Sequence, residues 1–186
     1  MDIGLDINNL HVRLNMPLGR SEFTAAGIVK PGFFAKPFLR PFPYKRDGDT
    51  VLWAKNPVVS CFGGQAGASP NASISMIRGM SLRAGRDFIC GTSAYFFFND
   101  GALRLVIAQV IMSFSWAQRF TEEFREAAVS RFGKGHCTDL RSIPVLGGST
   151  TRKQEYLLCS WTDETGILVS ELAATGDKAW VRWGHS

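Results

Sequence analysis

The chain has 186 residues and a mass of 20.5 kDa, with 45% hydrophobic, 12% aromatic and 20% charged side chains. That is enough for one domain with a real core, and it excludes a fully disordered chain. Lys plus Arg outnumber Asp plus Glu by 21 to 16, a net charge of +5, and no run reaches the roughly 20 apolar residues of a membrane-spanning helix.

The longest apolar run, residues 102–114, is broken by Arg104 and Gln109. The opening Met-Asp-Ile-Gly-Leu-Asp lacks a basic-then-apolar leader, so a single domain over 1–186 in the cytoplasm is the expectation. The charge excess has an address. Lys30, Lys36, Arg40, Lys45 and Arg46 fall in one stretch without an acid, and they account for all of the +5. One basic segment on a neutral body reads as a local arm or docking strip, not as a uniformly basic nucleic-acid surface.

Taken in chain order, Leu10, Val12 and Leu14 alternate as in a short strand. Residues 30–46 differ in kind: Pro31, Pro37, Pro41 and Pro43 are interleaved with Phe33, Phe34, Phe38, Phe42 and Tyr44. The prolines remove backbone donors and forbid both a helix and a central strand, which leaves an extended, polyproline-like arm. After the turn signal Asp47-Gly48-Asp49 come strands over residues 50–54 and 58–62, a glycine-rich loop over 63–71, and a further strand over 74–82. The loop meets neither the P-loop nor the dinucleotide spacing. Asn71-Ala72-Ser73 matches a glycosylation sequon, which without a leader reads as coincidence.

Residues 92–98 and 103–112 flank Asn99-Asp100-Gly101, a β-hairpin signature. In its second strand, Leu103, Leu105 and Ile107 alternate against Arg104, Val106 and Ala108. One principal helix is expected over about 115–132. Ser115 and Gln118 fit a capping box, Phe120, Phe124, Ala128 and Phe132 recur every fourth residue, and Gly133 supplies a left-handed stop. Residues 136–151 read as an irregular link. A three-strand meander follows over 154–161, 167–172 and 178–183.

The pattern predicts an α+β fold in which a curled, mostly antiparallel sheet packs around the principal helix, with the Pro/Phe-rich arm extended from it. Phe96, Phe98, Trp161 and Trp180 are the expected partners of the helix.

The four cysteines (Cys61, Cys90, Cys137, Cys159) form no C-x-x-C clip, and only His11, His136 and His185 could supplement them. No metal and no cofactor are expected, and the thiols are expected to be reduced. His136-Cys137 is the one adjacent base-and-nucleophile pair, but it follows a helix C-terminus, whose partial charge disfavours a thiolate. No pair of carboxylates stands out as an acid–base couple.

Three readings of function follow. The first is a non-enzymatic interaction module, an adaptor, accessory or immunity-type factor that self-associates as a homodimer or meets a protein partner. Its contact residues would be Phe33, Phe34, Phe38, Arg40, Phe42 and Tyr44. The second is a small-molecule binder or enzyme with an apolar pocket between helix and sheet, lined by Tyr95, Arg104 and Trp161, with His136 and Cys137 beside it. The third is single-stranded nucleic acid stacked on the basic, aromatic arm, although the prolines favour a fixed apolar contact instead.

Overall fold

A computed structural model describes residues 3–32, 46–55, 57–61, 93–111, 114–141, 155–172 and 178–185. The arm residues 33–45, the loop over 63–71 and the strand expected over 74–82 lie outside them.

Antiparallel strands dominate. β1 (Leu5–Ile7) and β2 (Leu10–Val12) form a hairpin whose turn residues Asn8 and Asn9 both hold positive φ (52° and 66°), the conformation a two-residue hairpin turn demands and asparagine tolerates. After α1 (Ser21–Ala25) come β3 (Thr50–Lys55) and β4 (Val59–Ser60), then β5 (Ser93–Asn99) and β6 (Ala102–Ile111). The expected Asn-Asp-Gly turn joins β5 and β6, with Asp100 and Gly101 at φ 51° and 72°. α2 (Phe114–Phe132) follows, then β7 (His136–Arg141), β8 (Glu155–Thr162), β9 (Ile167–Leu172) and β10 (Lys178–Gly184). Among the described residues, β4, β1 and β2 make a small three-stranded sheet, and the main sheet has seven strands in the order β3-β5-β6-β10-β9-β8-β7. β7 occupies a stretch expected to be an irregular link.

The register sorts the main sheet into two faces. On one, Leu52, Phe96, Val106, Trp183, Leu168 and Trp161 lie in a single row across six strands. The next row is small: Ala54, Ala94, Ala108, Val181, Ser170 and Cys159. Small side chains let α2 approach closely, and the helix packs on β6, β9 and β10. Its Phe120, Phe124, Ala128 and Phe132 are buried, each phenylalanine contributing about 1.5–3 kcal/mol by area. Beyond the helix, Phe23 of α1 meets Phe96 and Phe98 edge-on at 6.2 and 5.4 Å, tying the N-terminal sheet to the same core. Gly133 ends α2 at φ 81°, its N–H donating to the Val129 carbonyl.

The opposite face carries a second cluster. Tyr95, Phe97 and Ile107 are buried there, and Val51, Trp53, Leu105 and Trp180 are packed against them. Two expectations are corrected by this arrangement. Trp180 does not meet the helix: Ala179, Val181 and Trp183 of β10 face the core, and the two-residue period turns Trp180 away. Leu103 and Leu105 do not share a face either. Phe98 pairs with Leu103 but Phe97 pairs with Leu105, so Arg104 is an extra residue opposite none, a β-bulge. The phase of β6 flips there, carrying Val106 and Ala108 into the core beside Leu103, and Leu105 and Ile107 to the other side.

Candidate functional site

The bulge at Arg104 sits at one end of the outer face, where a cavity of about 520 Å³ opens. Its floor is one register row, Phe97, Leu105 and Gly184, on the adjacent strands β5, β6 and β10. Four basic side chains line it: Arg46 before β3, Arg104 at the bulge, Arg182 on β10 and His185 just after. One carboxylate, Asp49, lines the cavity as well. Its two oxygens are taken: Oδ2 accepts from the Arg46 backbone N–H at 2.8 Å and Oδ1 from Asn99 Nδ2 at 2.9 Å. Asp49 thereby fixes the turn that presents Arg46.

The guanidinium of Arg104 is steered from outside the sheet. Its NH1 donates to Asn15 Oδ1 at 2.7 Å. Asn15 holds a left-handed backbone at φ 67°, and its N–H donates to the Leu103 carbonyl at 2.8 Å. Arg182 donates to Glu171 Oε2 at 3.1 Å, an ion pair along the same face. The positive charge of Arg104 thus meets a neutral amide, and that of Arg182 a carboxylate.

A second cavity, about 400 Å³, lies between the N-terminal segment and the turn after β8, with Arg13, Asn15 and Glu164 on its rim. The turn is organised by Asp163. Partial burial pushes this carboxyl up, but hydrogen bonds from the Thr165 hydroxyl and from the N–H groups of Ile3, Thr165 and Gly166 outweigh it and hold the pKa below the ordinary value.

The residues singled out from sequence do not converge. Tyr95 lies on the outer face; burial raises its pKa, opposed by a hydrogen bond with Ser93. Trp161 lies on the helix face, its indole N–H donating to the Gly133 carbonyl at 3.0 Å. Neither cavity described lies between helix and sheet; only Arg104, of the three expected pocket residues, lines one.

His136 and Cys137 are adjacent on a strand, so their side chains leave on opposite faces. Cys137 is also no free thiol. It is the register partner of Cys159 on β8, with Cα atoms 4.1 Å apart, and the two form a disulfide. That corrects both the nucleophile candidate and the expectation of reduced thiols: strand pairing brings together two cysteines 22 residues apart in sequence. The free Cys61 is buried, which pushes its thiol up to about 12, with Asp6 adding to the rise and Arg131 opposing it.

One polar group was not foreseen. On the N-terminal sheet His11 Nδ1 lies 2.7 Å from Asp6 Oδ1, and Ser60 is the neighbour of Asp6 on its other side. The carboxylate stands in the middle, so this is not the order of a Ser-His-Asp relay, in which imidazole must touch the hydroxyl. Among the described residues no three His, Cys, Asp or Glu side chains gather as metal ligands, and no helix is long and apolar enough to cross a membrane. Arm residues Phe33, Phe34, Phe38, Arg40, Phe42 and Tyr44 lie outside the described residues.

No protein-family model, no curated protein and no solved structure matches the chain.

Proposed function

We propose that the protein is an interaction module that self-associates through β7, the end strand of its main sheet among the described residues. The observation that carries this reading is the backbone of β7. Cα atoms only 4.1 Å apart mark Cys137–Cys159 as a non-hydrogen-bonded pair. The N–H and C=O of Cys137, and by alternation those of Asp139 and Arg141, therefore point away from β8. β7 is the end strand of the sheet among the described residues, so these groups form a row on which an added strand can pair. The other end strand, β3, already exchanges two hydrogen bonds with Val29 at Trp53.

The occupant we assign is a second copy of the chain. Antiparallel self-pairing centred on Leu140 sets Asp139 opposite Arg141 of the second copy, twice over, whereas centring on Asp139 would oppose two like charges. The Cys137–Cys159 disulfide supports an oxidising compartment as the place where this pairing forms. The basic arm is the competing contact. It leaves and rejoins the described chain beside β3, since Val29 bridges Trp53 and Arg46 begins the turn into Thr50.

Light scattering after size exclusion tests the assignment. The wild-type protein is expected at twice 20.5 kDa, Asp139→Arg at the single mass, and Asp139→Arg/Arg141→Asp at twice the mass again. A wild-type monomer at 100 μM sinks the reading; a dimer that survives Asp139→Arg but not deletion of residues 33–45 moves the contact to the arm.

A further inference from the structure

The cavity beside the bulge has a chemistry that strand pairing at the far edge does not use. We propose that it binds a small organic oxyanion, a carboxylate or phosphate group carried on a flat apolar body. Three features converge on this, each from a different level of the structure.

First, the size fits a small molecule. A volume of about 520 Å³ lies within the roughly 300–1,000 Å³ of ordinary ligand pockets, and is far too small for the face of a folded partner. Second, the lining separates into two chemistries. Phe97 and Leu105 give an apolar floor, and Gly184 continues it without a side chain; a Cβ there would stand 2.9 Å from Leu105 Cδ1, so the floor is closely fitted. Above it stand Arg46, Arg104, Arg182 and His185, which is the arrangement an amphipathic anion needs. Planar guanidinium groups bind carboxylate and phosphate through paired N–H bonds.

Third, Arg104 is pre-positioned. The bulge takes it out of the strand's alternation, and Asn15, held left-handed, accepts one of its five N–H groups. The remaining donors belong to a cation that meets no carboxylate among the described residues, so its charge is available to a ligand. The acids nearby are otherwise engaged. Asp49 accepts from the Arg46 backbone N–H and from Asn99 Nδ2, and Glu171 faces Arg182. Those two carboxylates lower the net positive charge of the site, which favours a singly or doubly charged ligand over a polyanion. Arg104 supplies the principal contact, and Asn15 acts as a positioning residue through it.

Calorimetric titration of the full chain with phenyl phosphate, benzoate and inorganic phosphate tests the proposal. At least one aromatic anion is expected to bind more tightly than inorganic phosphate. The ratio between phenyl phosphate and benzoate then identifies the oxyanion. Arg104→Gln is expected to weaken that binding roughly tenfold or more, as loss of a charge-assisted pair does. Asn15→Gly keeps the left-handed backbone, removes the steering amide, and is expected to cost a few-fold. Asp139→Arg is expected to leave affinity unchanged, which separates this site from the edge-pairing reading. No heat from either aromatic anion at 5 mM overturns the proposal, as does unchanged affinity in a folded Arg104→Gln. Equal affinity for inorganic phosphate and both aromatic anions removes the apolar floor from the site and overturns the organic class.

Discussion

Breaking the Cys137–Cys159 bond is the perturbation whose size follows most directly from the structure. The bond closes a segment of 22 residues between strands that are already neighbours. On the chain-entropy account, a loop of that length restricts the unfolded chain by about 3 kcal/mol. For a chain of this size that is a fall of about 6–12 °C in Tm. With a urea dependence of about 2 kcal/mol per molar, the midpoint moves down by roughly 1–2 M. Cys137 is exposed and Cys159 buried, so a thiol reductant reaches the bond from the Cys137 side. Urea unfolding followed by tryptophan fluorescence, with and without dithiothreitol, measures the shift, and Cys137→Ala without reductant should reproduce it. Coincident midpoints under the two conditions refute the reasoning. So does a non-reduced peptide map in which Cys137 and Cys159 are alkylated on separate peptides.

Three further outcomes follow from other parts of the fold. Phe124→Ala removes a ring that is fully buried beneath α2, and should cost about 3–5 kcal/mol in urea unfolding. Cys61, with its thiol pushed up to about 12, should resist iodoacetamide at pH 8 in the native protein and react once the chain unfolds, as read by mass spectrometry. The carboxyl of Asp163 has its pKa lowered on folding, so its contribution is present above the unfolded value and is lost as pH falls through the folded one. Asp163→Asn should therefore be less stable than wild type at pH 7, and the gap should close as the pH is taken below 4.

Local patterns carried much of this fold in the sequence, and non-local register carried the rest. The Asn99-Asp100-Gly101 turn and the four-residue spacing of phenylalanines in α2 are local, and both elements stand within a residue or two of where the sequence places them. The bulge was invisible for a physical reason: Leu105, Val106, Ile107 and Ala108 are all apolar, so either phase suits a strand buried on both faces, and only pairing with β5 reveals that one position is skipped. The same holds for the disulfide, which depends on β7 and β8 lying side by side. The cavity was half legible. Arg104 was singled out, but its companions Arg46, Arg182 and His185 come from segments that meet only through the strand order. Tyr95 and Trp161 were expected together in a pocket between helix and sheet, but the strand period puts them on opposite faces of the sheet.

The place of β10 has a consequence for how the protein is made. β10 lies between β6 and β9, yet it comes after both in the chain. Until residues 178–184 leave the ribosome, β3, β5 and β6 can form only one half-sheet, and β7, β8 and β9 only another, each with a bare edge where β10 will dock. Helix α2, which packs on β6, β9 and β10, has an incomplete floor for the same interval. A nascent chain stalled before this strand would expose two sticky edges at once, so the burden of avoiding aggregation during synthesis falls on the speed with which one late strand finds its slot.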